Sequence, residues 1–171
     1  LMEINEETLR VNASAEIGTF DGEILHLHRG GTSVVIDLAT QALPVIVHWG
    51  EELTDSTPET LRSLVVAARP QRVSGGLDRT PRLSAVATEA SGWLGTPAIA
   101  GHRSGAGFSI LPEIVGVRSN DHHATIALVD AEAGLELAWE IRIGAAGLFH
   151  QRMTVRNAGQ GAYSLDSLQL I

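Results

Sequence analysis

Nine consecutive residues constrain this chain more than any others. From Leu135 to Ile143, Leu135, Leu137, Trp139, Ile141 and Ile143 alternate with Glu136, Ala138, Glu140 and Arg142. A repeat of two puts the apolar set on one face and the charged set on the other, which is the pattern of a half-buried strand. Such a strand needs a second layer to cover its apolar face. Trp139 belongs to that face and is a core residue, its burial contributing about 2–3 kcal/mol.

The segments around it repeat the theme. Ala124 to Val129 leads through Asp130-Ala131-Glu132-Ala133-Gly134 into this strand. Gly144-Ala145-Ala146-Gly147 then turns into Leu148 to Asn157, and Ala158-Gly159-Gln160-Gly161 turns into Tyr163 to Ile171. Three successive strands joined by tight turns predict an antiparallel meander. Nearer the start, Glu23 to His28 and Thr32 to Leu38 flank Arg29-Gly30-Gly31, a hairpin signal. Leu43 to Gly50 reads as a third strand, with Pro44 at its start or edge.

One helix interrupts the strands. Ser56 or Thr57 can cap it, Pro58 suits its first turn, and Glu59 favours its positive end. Leu61, Leu64, Val65 and Ala68 form one apolar face for packing on the sheet, and Pro70 stops the run. The expected fold is mostly β: an antiparallel β-sandwich with one short helix, as a single domain over residues 1–171. At 171 residues and 44% hydrophobic composition the chain can bury one sizeable core. It ends on Leu168-Gln169-Leu170-Ile171, still in strand pattern, which reads as a cut inside a larger protein.

Charge and composition exclude several functions. A net charge of -8 disfavours nucleic acid and anionic membrane as partners. No apolar run reaches the roughly 18 residues of a membrane span, and no signal segment is evident, so the cytoplasm is the expected compartment. The absence of cysteine excludes a disulfide scaffold and any thiolate metal site. All 12 basic residues are arginine, which reads as the codon bias of a GC-rich genome rather than a chemical requirement.

The segment from Leu83 to Arg103 stands apart. Gly92, Gly95, Pro97 and Gly101 break strand and helix ladders alike, so a long irregular loop is expected through residues 71–107. Loops beyond about 12–15 residues are uncommon unless they carry function. Within it Trp93, flanked by Gly92 and Leu94-Gly95, either meets a ligand or neighbouring subunit or covers the sheet end. Trp49, ending a strand beside Gly50, fits the core better than the rim.

The remaining candidate chemistry is incomplete. His26 and His28 share a strand face and make half of a metal site, but tetrahedral zinc recruits four ligands. Their simpler reading is outward-facing histidines alternating with inward Leu25 and Leu27. His122 and His123 point to opposite faces beside Asn120-Asp121 and are expected to be solvent-exposed. No Gly-x-Ser-x-Gly elbow, phosphate loop or dinucleotide fingerprint occurs, and no two acids form a clear pair. No catalytic set and no cofactor site are therefore expected.

Residues 83–103, with Leu83-Ser84, Glu89, Gly92-Trp93-Leu94-Gly95, Pro97 and Gly101-His102-Arg103, resemble the N-terminal domain of the glycoside hydrolase family 36 alpha-galactosidases. Three further pieces are similar to that family in order and spacing. They are Leu43-Pro44-Val45-Ile46-Val47-His48-Trp49-Gly50, Asp130 to Leu137, and Thr154 to Asn157 with Tyr163 to Leu168. The resemblance implies a β-supersandwich preceding a (β/α)8 catalytic barrel, and retaining hydrolysis of terminal galactose from melibiose or raffinose by two barrel aspartates. It also implies a homo-oligomer in which this domain lends a loop to a neighbouring subunit's active site.

On that pattern Leu77-Asp78-Arg79-Thr80 would place Asp78 for sugar hydroxyl recognition, with Trp93 as stacking surface; the competing reading of Asp78 is a turn residue. Two positions depart from the family: Thr88 where proline is usual, and Ala98 where glycine often follows Pro97. The implied partners are the downstream barrel of the same polypeptide and galactoside oligosaccharides. Two other readings are a free-standing carbohydrate-binding β-sandwich module that uses Trp93 and a purely structural association domain.

Overall fold

The computed structural model describes residues 18–39, 43–71, 73–76 and 82–170. Ten strands, one α-helix and one short 3-10 turn occur among them. The helix α1, Pro58–Ala67, is capped by Thr57, whose side chain accepts from the Thr60 N–H. Proline in its first turn and Glu59 beside the free N–H groups complete the start as expected. Leu61 and Val65 are its buried positions. No helix of the described residues is long and apolar enough to cross a membrane.

The largest sheet runs β1 (Gly18–Thr19), β6 (Glu113–Ser119), β7 (His123–Asp130), β8 (Leu135–Ile143), β9 (Phe149–Asn157), all antiparallel. β2 (Ile24–Arg29), β3 (Thr32–Asp37) and β4 (Val45–Glu51) form a three-stranded sheet in sequence order. A third, two-stranded sheet pairs β5 (Ile99–His102) with β10 (Ser164–Leu168). Leu25, Leu27, Val34 and Ile36 from the three-stranded sheet share one core with Ile126, Leu128 and the whole apolar row of β8. The sandwich-like architecture is therefore the one the alternation predicts.

β8 sits at the centre of this core. Leu135, Leu137, Trp139, Ile141 and Ile143 are all fully buried. Trp139 satisfies its indole N–H by donating to Gln151 Oε1 at 3.2 Å on the neighbouring strand. The opposite face is not simply wet: Glu136 is 4% exposed and is gripped by both Nε and Nη2 of Arg156, its register partner. A two-pronged guanidinium contact supplies the hydrogen bonds that a carboxylate loses on leaving water.

Four expectations need correction. β10 does not extend the meander, which consists of β6 to β9; after Asn157 the chain leaves that sheet and pairs with β5. The loop through residues 71–107 is not wholly irregular, because Ile99–His102 is a strand with Ile99 buried. Gly101 makes that strand possible rather than breaking it, since a Cβ there would lie 2.6 Å from the Tyr163 ring. Trp49 is 59% exposed rather than core, and leans on Phe149 with ring centroids 4.8 Å apart. His123 is buried, its Nε2 3.3 Å from Glu140 Oε1, because it opens β7 instead of ending a turn.

Candidate functional site: a clamped surface loop

The segment from Arg82 to Phe108 is held at both ends and displays its middle. At its start Ser84 Oγ donates to the Pro44 carbonyl at 2.7 Å, and the Ala85 N–H donates to the same oxygen at 3.1 Å. Arg82 reaches the buried carboxylate of Asp37 at 2.6 Å. The Ala98 N–H donates to Ala87 O, and Gln169 N–H to Ala98 O, each at 2.7 Å. Ala85, Val86 and Ala87 are buried as a result, tying the loop's first half to the core.

A single turn of tight helix, residues 89–91, follows. Thr88 and Ser91 cap it reciprocally: Thr88 Oγ1 accepts from Ser91 N–H, and Ser91 Oγ accepts from Thr88 N–H at 3.1 Å. Gly92 closes the turn in the left-handed region at φ 82. Thr88 at the position where proline was expected thus has a local reason. Its N–H is a donor in the cap and its φ is -128, neither of which proline can supply.

Trp93 comes next and is half-buried. Its indole N–H donates to Thr96 O at 3.2 Å, and a Cβ on Gly95 would meet the ring at 2.7 Å. The ring is therefore held against its own loop, with Leu94 beside it 92% exposed. Asp78, the other expected site residue, lies outside the described residues, as does the Leu77-Asp78-Arg79-Thr80 stretch.

The far end is fixed by Arg103. Its Nη1 donates to Gln160 O and Gly161 O at 2.8 Å each, while Nη2 donates to Ala133 O at 2.9 Å and Asn157 Oδ1 at 2.8 Å. The guanidinium also lies 5.6 Å from the centroid of the Tyr163 ring. One planar fork thereby joins the end of β5 to the β7–β8 and β9–β10 turns. Glycines let it in: a Cβ on Gly159 would lie 2.7 Å from Nη2, and Gly134, at φ +64, packs against Gly159. The sequence motif Gly101-His102-Arg103 was legible, but its role was not, because every partner lies 30 residues or more away.

Asp130 stands behind this clamp. Its two oxygens accept from Leu111 N–H at 2.7 Å and Ala133 N–H at 2.8 Å. Burial pushes the Tyr163 hydroxyl's pKa up, and the charges of Asp130 and Asp166 add to it against the pull of Arg103.

On the three-stranded sheet His26 and His28 do share a face, their rings stacked with centroids 5.1 Å apart, while Leu25 and Leu27 point into the core. Ser33 Oγ accepts from Leu53 N–H at 3.1 Å and lies 3.0 Å from His26 Nε2, to which it can donate when the ring is neutral. His28 Nδ1 meets Glu52 at 3.1 Å. Burial, then the neighbouring His28 and His48, lowers the pKa of His26. Among the described residues no group of three or more histidines, aspartates or glutamates could hold a metal ion.

What emerges is a β-sandwich domain with a tryptophan-bearing loop braced on its surface. The comparisons place it further: residues 42–171 match the glycosyl hydrolase family 36 N-terminal domain, and the chain belongs to that family. It is 28% identical over 121 residues to an alpha-galactosidase of Escherichia coli, covering 71% of this chain and 16% of that protein. Its fold is similar to that of a family 36 alpha-galactosidase, AgaA of Geobacillus stearothermophilus, solved in complex with 1-deoxygalactonojirimycin. That likeness has a TM-score of 0.64 at 16% identity, over 80% of this chain and 22% of that one. The chain thus spans about a fifth or less of the relatives it matches.

Proposed function

We propose that this chain is the N-terminal, non-catalytic part of an alpha-galactosidase, and that its clamped loop lines the rim of the sugar site. The family match over residues 42–171 carries the reading. The parent enzyme would be a retaining hydrolase of terminal α-galactosides such as melibiose and raffinose, with both catalytic aspartates in a downstream barrel. The 171-residue domain would act with that barrel and help assemble a homo-oligomer, placing Asp78 for hydroxyl recognition and Trp93 for stacking in a neighbouring subunit's site.

The held ring of Trp93 supports that role, because a rigid aromatic surface loses little freedom when a sugar packs its C–H face on it. The 171-residue chain alone is expected to leave a chromogenic α-galactoside intact, and the parent polypeptide to cleave it. Turnover by the shorter chain would overturn this division. In the parent, Trp93→Ala is expected to raise KM about tenfold with fold and assembly retained, and an unchanged KM would remove Trp93 from the rim. Raffinose binding by the 171-residue chain tighter than about 1 mM, and lost in Trp93→Ala, would instead favour a free-standing carbohydrate-binding module.

A further inference from the structure

The three-stranded sheet gathers histidines that the galactoside reading leaves unused. His26 on β2 and His48 on β4 both stand opposite the fully buried Val35, so one row across the sheet reads His26, Val35, His48. The next row sets His28 opposite Ser33, and Ser33 opposite Gly50. Directly opposed residues of antiparallel strands share a face. The His26 and His28 rings stack along that face with centroids 5.1 Å apart and 24° between their planes. His28 Nδ1 lies 3.1 Å from Glu52 Oε1, and His48 Nε2 donates to the Glu51 carbonyl at 3.1 Å.

Ser33 is the junction of this group. It is fully buried, its Oγ accepts from Leu53 N–H at 3.1 Å, and the same oxygen lies 3.0 Å from His26 Nε2. While Nε2 carries no proton, the hydroxyl donates to it and both groups are satisfied. A second proton on the ring turns Nε2 into a donor. The Ser33 O–H then loses its acceptor and has no other among the described residues. The same proton sets a positive charge against the His28 ring and in the row of His48.

Burial first, then His28 and His48, resist protonation of His26, and Glu52 favours it. The other charged groups on neighbouring elements face water. They are Arg29 ending β2, Glu51 ending β4, Glu59 and Arg62 on α1, and Asp121, whose carbonyl accepts from His28 N–H. Residues 52–57 join β4 to α1 as a strap. Glu52 N–H donates to Gly31 O at 2.9 Å, and Leu53 meets the sheet at Ser33. Beyond Leu53 the strap binds forward, Asp55 accepting from the Thr57 N–H and the Thr60 hydroxyl.

We propose that His26, His28 and Ser33 form an acid-sensitive latch on this strap. With His26 neutral, Leu53 is held to the sheet through Ser33; protonation of His26 breaks the relay and lets the strap lift.

Amide exchange and imidazole proton shifts, followed together by NMR on the 171-residue chain, test the latch. Between about pH 7.5 and 4.5, the Leu53 amide should lose at least about tenfold protection, relative to an unprotected peptide at each pH, as the His26 ring titrates. The Trp139 amide on β8 should keep its protection throughout. His26→Gln should hold the Leu53 protection constant within about twofold. His28→Gln should move the His26 titration and the Leu53 loss together to higher pH. Leu53 protection that ignores the His26 titration, or an equal loss in His26→Gln, would overturn the latch. So would a joint loss at Leu53 and Trp139, which is unfolding of the whole domain. If His26→Gln does not fold, His28→Gln decides: a Leu53 loss that stays at its original pH is the contrary result.

Discussion

At the scale of single residues, Arg103 acts on partners 30 residues or more away, whereas Thr88 acts on Ser91 three residues on. Arg103 gives four hydrogen bonds to three backbone carbonyl groups and one side-chain amide oxygen of distant turns. Lysine keeps the charge but has no planar fork, so Arg103→Lys is expected to cost about 2–3 kcal/mol, read as a lower urea midpoint. Thr88→Pro should cost about 2 kcal/mol by removing the cap donor and forcing φ. An unchanged midpoint in either variant would contradict these roles.

His26 gives the pH dependence. Its folded form resists protonation, because of burial and the nearby His28 and His48, with Glu52 opposing weakly. The unfolded chain therefore takes up that proton more readily. The stability is complete above the ordinary imidazole value of 6.5, falls as pH drops through it, and levels off below the lowered folded value. Thermal melts at about pH 7.5 and 5.5 should show the drop, and His26→Gln should shrink it. An equal drop in that variant would assign the effect elsewhere.

Elements were more legible than single contacts, and the reason is periodicity. β8 was readable to the residue, since its repeat of two persists for nine positions and one layer covers one face. Thr57, Pro58 and Glu59 likewise announced α1, because capping is local chemistry. β5 was not readable: four residues, one a glycine, carry too little alternation, and its existence depends on β10 more than 60 residues away. The same limit misplaced Trp49, whose exposure is decided by where sheet edges fall rather than by its own strand. Gly101→Ala tests the β5–β10 pairing. Its methyl group would press on Ser164 O and the Tyr163 ring, so a loss of about 1–3 kcal/mol is expected, with faster amide exchange in both strands. A neutral substitution would show that the two strands can part without consequence.

At the scale of the whole molecule, two sheets share a core that belongs to neither alone, and the loop of interest is pinned to the outside of it. The fold class followed from strand counting, and the family from residues spread along most of the chain. Of the candidate site, the Trp93 ring is seen held against its own loop, while the Leu77-Asp78-Arg79-Thr80 stretch lies outside the described residues.

The three tryptophans sit at three depths: Trp139 fully enclosed, Trp93 half-sheltered, Trp49 largely open. That gradation makes the polypeptide its own set of optical reporters. A small aqueous quencher will dim the flank first, the loop more slowly and the interior last, so one titration separates loss of packing from events at the surface. Any ligand or chain segment that settles on the protein will announce its address by which indole it shields.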